Sequence, residues 1–361
     1  MKRKKTKIKK KTIVILLIVF IFLFLLNPVV SIMKIKSKGY SLSNSYEIYK
    51  LGLKEEIIDK DYSETFEKIF KTEYYEEKYF DNYFEINYKD SKDFNKNINT
   101  WLILGYKPEI INKIYDINDS KLNEKISEKY IPDILSYLDY SYFKVDNLDR
   151  YLAYFNGDYS DTIIKVNIGL DKKYYEDPVI VTEYSTSMIV NKYNQLEDKY
   201  VPKDITELTK CSSSGEYLAK EAKEAYDELC DASKKAGLNL GVTSSYRSYE
   251  NQKEVYNTYL KQKGKDYVEK YVALPGYSEH QTGLALDVKS TTSSPFKYTK
   301  ESKWMEENAY KYGFILRYPE GMEEITGYNA ESWHYRYVGK DIAKYIYENK
   351  ITYDEYYAIF M

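Results

Sequence analysis

The chain contains two histidines in 361 residues, and both sit in short motifs with carboxylates at fixed distances. The first motif is Ser278-Glu279-His280-Gln281-Thr282-Gly283-Leu284-Ala285-Leu286-Asp287, and the second is Glu331-Ser332-Trp333-His334. Histidine is the commonest metal ligand and the usual proton shuttle near neutral pH. His280, Asp287 and His334 supply two imidazole nitrogens and one carboxylate. Three protein ligands with a fourth position open are the pattern of a catalytic zinc. The two cysteines lie far from this stretch, so a closed thiolate site is not indicated. Water at such a centre ionises near neutrality. A base must take its proton, and Glu331, three residues before His334, is the candidate general base and later acid. The bland alternative is a pair of core histidines that happen to lie near carboxylates. It accounts for one histidine better than for both.

Particular elements must bring these groups together. On one helix, His280 and Asp287 would stand about 10 Å apart along the axis, too far to share an ion. Gly283 between them favours a turn, and Leu284 to Val288 alternates like a strand with Asp287 near its end. Trp333 to Val338 is aromatic and β-prone and reads as a second strand. A third strand, Leu238 to Ser244, leads into Ser245-Tyr246-Arg247, where the arginine either grips a carboxylate through two parallel hydrogen bonds or forms a surface ion pair. Residues 249–263 read as a helix stopped by Gly264, Trp304 to Tyr312 as another ended by Gly313, and 340–349 as a short closing helix. The tail to Met361 carries no signal. Ser213 and Glu216 form a capping box for a helix whose stripe is Leu218, Ala222, Ala225, Leu229 and Ala232. That helix would rise about 22 Å from Gly215 to Cys230. The four residues back to Cys211 reach at most about 14 Å, and a disulfide needs Cα atoms within about 7 Å. Two free thiols are therefore expected.

The two histidine motifs resemble the signature of the VanY-type zinc D-alanyl-D-alanine carboxypeptidases, which group with lysostaphin-like and hedgehog-type folds. The likeness extends through Ser245-Tyr246-Arg247-Ser248 with Gln252, Pro275 to Gly283, Asn308 to Phe314 and Arg317-Tyr318-Pro319. It ends at Trp333-His334-Tyr335-Arg336-Tyr337-Val338-Gly339 and covers residues 188–345, under half the chain. The resemblance implies an α+β fold, a small mainly antiparallel sheet flanked by helices. It implies zinc on His280, Asp287 and His334, Glu331 as catalytic base, and Arg247, Gln252 and Ser278 holding the terminal residue of a peptidoglycan stem peptide. Related peptidases with these motifs cut an L,D bond in tetrapeptides, so that substrate is a rival. The loops 265–277 and 319–330 are expected to decide between them. A non-catalytic wall-binding module is the rival from another class. One departure stands out: Ala330-Glu331-Ser332-Trp333-His334 lacks the family's usual aromatic before and proline after the glutamate, which implies a looser loop around Glu331.

The remainder sets location and organisation. Eight Lys or Arg and no acid occupy the first twelve residues, and an uncharged stretch from Ile13 to Met33 follows, interrupted by Asn27-Pro28 and Ser31. Twenty-one such residues span a hydrocarbon core, and the basic flank keeps the N-terminus cytoplasmic. No small-residue cleavage site follows the apolar run, which favours an uncleaved anchor over a signal peptide. Without the leading eight, 46 basic residues face 56 acids, a balance of about −10 that excludes nucleic-acid binding through bulk charge. The 44 tyrosines fit a coding bias rich in Ile, Lys, Asn and Tyr. Leu51 to Tyr62 recurs as Leu104 to Tyr115 with eight of twelve residues identical, and Glu77-Lys78-Tyr79-Phe80 as Glu128-Lys129-Tyr130-Ile131. A period of about fifty suggests two copies of a small helical unit. The expected organisation is a basic tail and transmembrane anchor at 1–33, a helical spacer at 34–187 and a zinc carboxypeptidase domain at 188–361. The sequence is silent on oligomeric state.

Overall fold

The computed structural model describes residues 2–292 and 294–361, with the backbone alone for 2–10 and 19–25. The chain forms two units, Met1–Asp139 and Tyr140–Met361. The division expected at 187/188 falls inside the second unit.

Helix α1 (Lys2–Ser37) contains the basic run and the apolar stretch. Among the described residues no helix is long and apolar enough to cross a membrane. Residues 19–25 of the expected anchor lie outside the described side chains. Short helices follow: α2 (Leu42–Lys50), α3 (Lys54–Ile58), α4 (Glu64–Ile69), α5 (Asn82–Glu85), α6 (Phe94–Leu104), α7 (Pro108–Ile117), α8 (Ser120–Glu128), α9 (Ile134–Leu138), α10 (Leu148–Tyr154) and α11 (Tyr159–Ile168).

These helices repeat, in another register than the sequence suggested. Gly39-Tyr40 and Gly105-Tyr106 occupy equivalent places. The Tyr40 hydroxyl accepts from Ser63 N at 3.4 Å and its ring meets Tyr62 at 5.1 Å. The Tyr106 hydroxyl accepts from Ile131 N at 2.8 Å and its ring meets Tyr130 at 5.0 Å. Further on, Tyr83 accepts from Glu76 N at 3.1 Å and Tyr151 from Lys144 N at 3.2 Å. The period is thus longer than fifty residues. The identities that suggested fifty centre on Leu51-Gly52 and Leu104-Gly105, where both glycines follow a helix with positive φ. Such a stop recurs at unrelated helix ends because glycine tolerates the left-handed conformation.

The second unit carries a parallel pair, β1 (Val179–Ile180) with β2 (Asn194–Gln195), and a hairpin, β3 (Ile205–Glu207) with β4 (Tyr217–Ala219). Then come α12 (Lys220–Lys235), β5 (Leu240–Ser244), α13 (Tyr249–Lys263), α14 (Lys265–Tyr271), β6 (Ala285–Ser290), α15 (Lys300–Asn308), β7 (Phe314–Tyr318), α16 (Glu323–Thr326), β8 (Glu331–Tyr337), α17 (Lys340–Asn349) and α18 (Tyr353–Phe360). The main sheet has the order β5-β6-β8-β7, each neighbouring pair antiparallel. This is the expected mixture of helices around a small antiparallel sheet. One sheet face buries Val242, Leu286, Val288, Phe314, Tyr335 and Tyr337 against Ala222, Tyr226 and Leu229 of α12. Alternation along a strand then sends Asp287, His334 and Arg336 to the opposite face. The α10–α11 stretch belongs to this unit, where Asn167 Nδ2 donates to Ala358 O of α18 at 3.2 Å.

Two expectations fail together. Cys211 and Cys230 form a disulfide, with Cα atoms 6.0 Å apart. The helix begins at Lys220, not near Ser213, because residues 205–219 form the β3–β4 hairpin. Cys230 therefore lies about 15 Å up the helix, and nine non-helical residues return the chain to Cys211. Ser213 and Glu216 make no capping box; Glu216 instead accepts from the Ser245 hydroxyl at 2.5 Å.

Candidate active site

His280 lies on a single 3₁₀ turn, Glu279–Thr282, that ends at Gly283 with φ +70°. A Cβ at Gly283 would stand 2.9 Å from Ile205 Cδ1 and 3.1 Å from Ala219 N. Glycine is required there by both conformation and space. The chain then enters β6, where Asp287 pairs directly across from His334 of β8. Two irregularities adjust the aim. The β5–β6 ladder slips between Val242 and Ser244 beside Asp287, and the β7–β8 ladder slips between Leu316 and Tyr318 beside Glu331 to His334. Such bulges re-aim side chains next to active sites. Glu331 is itself the first residue of β8, paired with Tyr318 and buried.

Candidate ligand atoms of His280, Asp287 and His334 lie within 4.8 Å of one another. The Ser245 carbonyl accepts from His280 Nδ1 at 2.7 Å, which leaves Nε2 unprotonated and 3.4 Å from Asp287 Oδ2. Glu279 accepts from His334 Nε2 at 3.3 Å, which leaves Nδ1 facing Asp287 Oδ1 at 3.0 Å. Two lone pairs and a carboxylate thus converge on one point, an arrangement that calls for a cation at its centre. Ligand bonds of about 2.0–2.1 Å in a tetrahedron place ligand atoms about 3.3 Å apart, close to the 3.4 and 3.0 Å from each imidazole to Asp287. The residues fit zinc.

The buried carboxylates and imidazoles shift one another's protonation. At His334, burial opposes charge, but the hydrogen bonds it donates to Asp287 and Glu279 outweigh it and hold the pKa up at about 9, so a metal binding there displaces the Nδ1 proton. At His280, burial pulls the pKa down against the pull of Asp287, helped by the nearby Arg247 charge. Burial also works against the Asp287 anion, yet the two imidazoles hold its pKa well below the usual range. Glu331 is the exception: burial drives it up to about 7, against the pull of His334. Its Oε2 stands 3.9 Å from His334 Nδ1. A carboxyl poised near neutrality beside the ligand cluster, and outside it, suits a general base.

The cluster opens into a cavity of about 450 Å³ lined also by Arg247, Gln252, Ser278, Tyr267, Tyr271, Tyr328 and Trp333. The three residues expected to hold substrate, Arg247, Gln252 and Ser278, thus line this cavity. Arg247 Nη1 donates to Gln252 Oε1 at 2.7 Å and Nη2 to Ser244 Oγ at 2.6 Å, both neutral acceptors. Its backbone N–H donates to the His280 carbonyl at 3.1 Å, which ties the guanidinium to the ligand turn. Gln252, held by Ala273 O at 2.7 Å, orients Arg247.

A support for His334 was missed in the sequence. Glu279 is fully buried between Arg317 Nε at 2.8 Å and Arg336 Nη1 at 3.1 Å. Burial raises its pKa, but the two guanidiniums hold it far below the usual range. Arg317 in turn pairs with Asp354 of α18 at 2.5 Å. Glu279 and both arginines stand within the motifs, so their presence there was visible. Asp354 had no signal, because it lies in a stretch with neither motif nor clear periodicity.

Comparison with known proteins finds one family model. The family model VanY, D-alanyl-D-alanine carboxypeptidase, matches residues 215–340. A D-alanyl-D-alanine carboxypeptidase of Enterococcus faecium is 36% identical over 180 residues, covering 47% of this chain and 56% of the relative. The bifunctional D-Ala-D-Ala dipeptidase and D-Ala-D-Ala carboxypeptidase VanXYC of Enterococcus gallinarum is 34% identical over 182 residues, covering 48% and 94%. The solved LdcB LD-carboxypeptidase is 40% identical, covering 52% and 92% with a TM-score of 0.48. The chain spans between 56% and 66% of the length of the first three curated relatives it matches.

Proposed function

This chain belongs to the VanY family of D-alanyl-D-alanine carboxypeptidases, and on that premise we propose that it removes the terminal D-alanine from peptidoglycan stem peptides with zinc as cofactor. The observation that carries the reading is the convergence of three ligand atoms within 4.8 Å in the same cavity as the Arg247 guanidinium and Glu331. Bound zinc would supply a Lewis acid for the scissile carbonyl and make water acidic enough to ionise near neutrality. His280, Asp287 and His334 would hold it, with Ser245 and Glu279 fixing the imidazole tautomers, an arrangement that raises ligand basicity. Arg247 receives the free C-terminal carboxylate through paired hydrogen bonds. Gln252 keeps the guanidinium turned to the cavity, and Ser278 lines the pocket for the terminal residue. Glu331 takes the proton from the attacking water and returns it to the departing D-alanine amine, a transfer its raised pKa suits in both directions.

The anchor and spacer belong to the same proposal. The apolar run from Ile13 to Met33 is long enough to span a bilayer and holds the enzyme outside the cytoplasmic membrane. The helices of the first unit, up to Asp139, act as a spacer that carries the carboxypeptidase domain towards the wall.

The test incubates the purified chain from residue 34 onward, loaded with zinc, separately with muramyl pentapeptide and tetrapeptide, and reads the products by mass spectrometry. Alanine released from the pentapeptide is the expected result, and a chelator should abolish it. Release from the tetrapeptide alone would transfer the assignment to L,D-carboxypeptidase activity on the same machinery. No zinc binding at all would favour a wall-binding module.

A further inference from the structure

Lys192 is 2% exposed, and no motif called attention to it. Its Nζ donates to Glu269 O at 2.6 Å and stands over the rings of Tyr174 and Tyr328, 4.1 and 4.5 Å from their centroids. Glu269 is in the last turn of α14, where carbonyls have no helical partner and a cation is favoured by the helix dipole. Tyr328 belongs to the loop before β8. Both partners border the substrate cavity: Tyr267, Tyr271, Val272 and Ala273 form its α14 side, and Tyr328 another wall. Lys192 itself does not line the cavity.

The segment that carries Lys192 is fixed from below. Arg336 Nη2 donates to Met188 O at 2.7 Å, and Asn191 Nδ2 donates to Asp354 at 2.8 Å. The same two side chains belong to the charge network behind His334. One end of the strap is thus tied to the support of the metal ligands, and Lys192 reaches from it to the cavity walls.

We propose that Lys192 is a positioning residue that clamps α14 and Tyr328 at a fixed separation, and so sets how the substrate cavity grips its peptide. An apolar side chain would fill the space without desolvating a charge, but it would satisfy neither the Glu269 carbonyl nor the two ring faces. Cation–π contacts strengthen when the cation is desolvated, and burial, which pushes the Lys192 pKa down to about 8, still leaves it charged at neutral pH. The walls also meet where Asn329 N donates to Lys270 O at 3.0 Å and Asn329 Nδ2 to the Tyr271 hydroxyl at 2.7 Å. Loss of Lys192 therefore loosens the walls without collapsing them. The effect on catalysis rests on the carboxypeptidase reading; the clamp does not.

The test compares Lys192→Met and Lys192→Arg with the parent chain by hydrogen exchange and by pentapeptide kinetics, with zinc content measured alongside. Lys192→Met should speed exchange in residues 265–273 and 326–330 while leaving β6 and β8 protected. It should raise KM about tenfold, the size of one charge-assisted hydrogen bond, leave kcat within about twofold and keep zinc bound. Lys192→Arg, which retains the charge, should recover most of the KM. Unchanged exchange at both walls would overturn the clamp whatever the substrate proves to be. Faster exchange with an unchanged KM would overturn the link to substrate grip. Faster exchange throughout with loss of zinc would reduce Lys192 to a general stabilising role and also overturn it. If the parent releases alanine from neither peptide, the carboxypeptidase reading fails and exchange alone decides the clamp. Should Lys192→Met fail to fold, Tyr174→Leu, at a partly exposed ring, should show a weaker effect of the same sign.

Discussion

The helical stretch from Gly39 to Ile168 and the face of the main sheet solve the burial of polar groups in opposite ways. In the helices, buried tyrosines turn their hydroxyls to backbone N–H groups: Tyr106 to Ile131 at 2.8 Å and Tyr151 to Lys144 at 3.2 Å are two cases. Each pin satisfies one donor with a neutral partner, and its loss affects mostly its own turn. On the sheet, buried ions are linked in series from Asp354 through Arg317 and Glu279 to His334. Buried charges are costly to desolvate and fail hard when one partner is removed. Such a chain is poor economy for stability alone but holds a ligand in one orientation. The contrast separates a region built to keep shape from one built to keep geometry.

Several substitutions should break or sharpen that contrast. Glu331→Gln should lower kcat by about 10²- to 10⁴-fold while zinc remains bound; near-normal turnover with full metal would remove Glu331 from the mechanism. Asp354→Ala removes one of the two carboxylates that pair with the buried Arg317, leaving Glu279, and should cost about 3–5 kcal/mol in urea unfolding. It should also weaken zinc affinity, and intact affinity would disconnect α18 from the site. Reducing the Cys211–Cys230 bond opens a short loop and should lower stability by about 3 kcal/mol, with little change in zinc content. Tyr106→Phe leaves Ile131 N without its partner and should cost about 1–3 kcal/mol, with kcat and KM unchanged. A change in kinetics there would mean that the helices do more than keep shape.

The pH profile sharpens the same distinction. Glu331 must be ionised to accept a proton, so kcat/KM falls as pH drops through its pKa. Burial places that pKa at about 7, above the usual value of about 4.3, and a bound cation draws it part of the way back. The acidic limb should therefore lie between these values and shift in Glu331→Asp. A limb below the ordinary glutamate range would show that another group is the base.

Much of the site could be read in advance because its parts are local. The ligand trio, Glu331, Arg247, Gln252 and Ser278 stand in short motifs whose spacing tolerates few geometries, and the turn at Gly283 and the strands around Asp287 and His334 follow from them. Element ends were less legible. The capping pattern at Ser213 and Glu216 was plausible locally, but pairing of β3 with β4 overrode it and carried Cys211 back to Cys230. Repeats misled similarly, since a glycine that stops a helix looks alike wherever helices stop.

The sequence by itself determined which residues are the candidates for ligand and base, because that candidacy is a property of side-chain type and near spacing. The tertiary structure alone decided what holds them. Asp354 sits 74 residues after His280 by position in the chain, and Lys192 reaches the elements that wall the cavity from before the matched region. Their partnerships arise where a buried charge finds the nearest opposite charge, carbonyl or ring face. That search happens in space, and no local spacing encodes it.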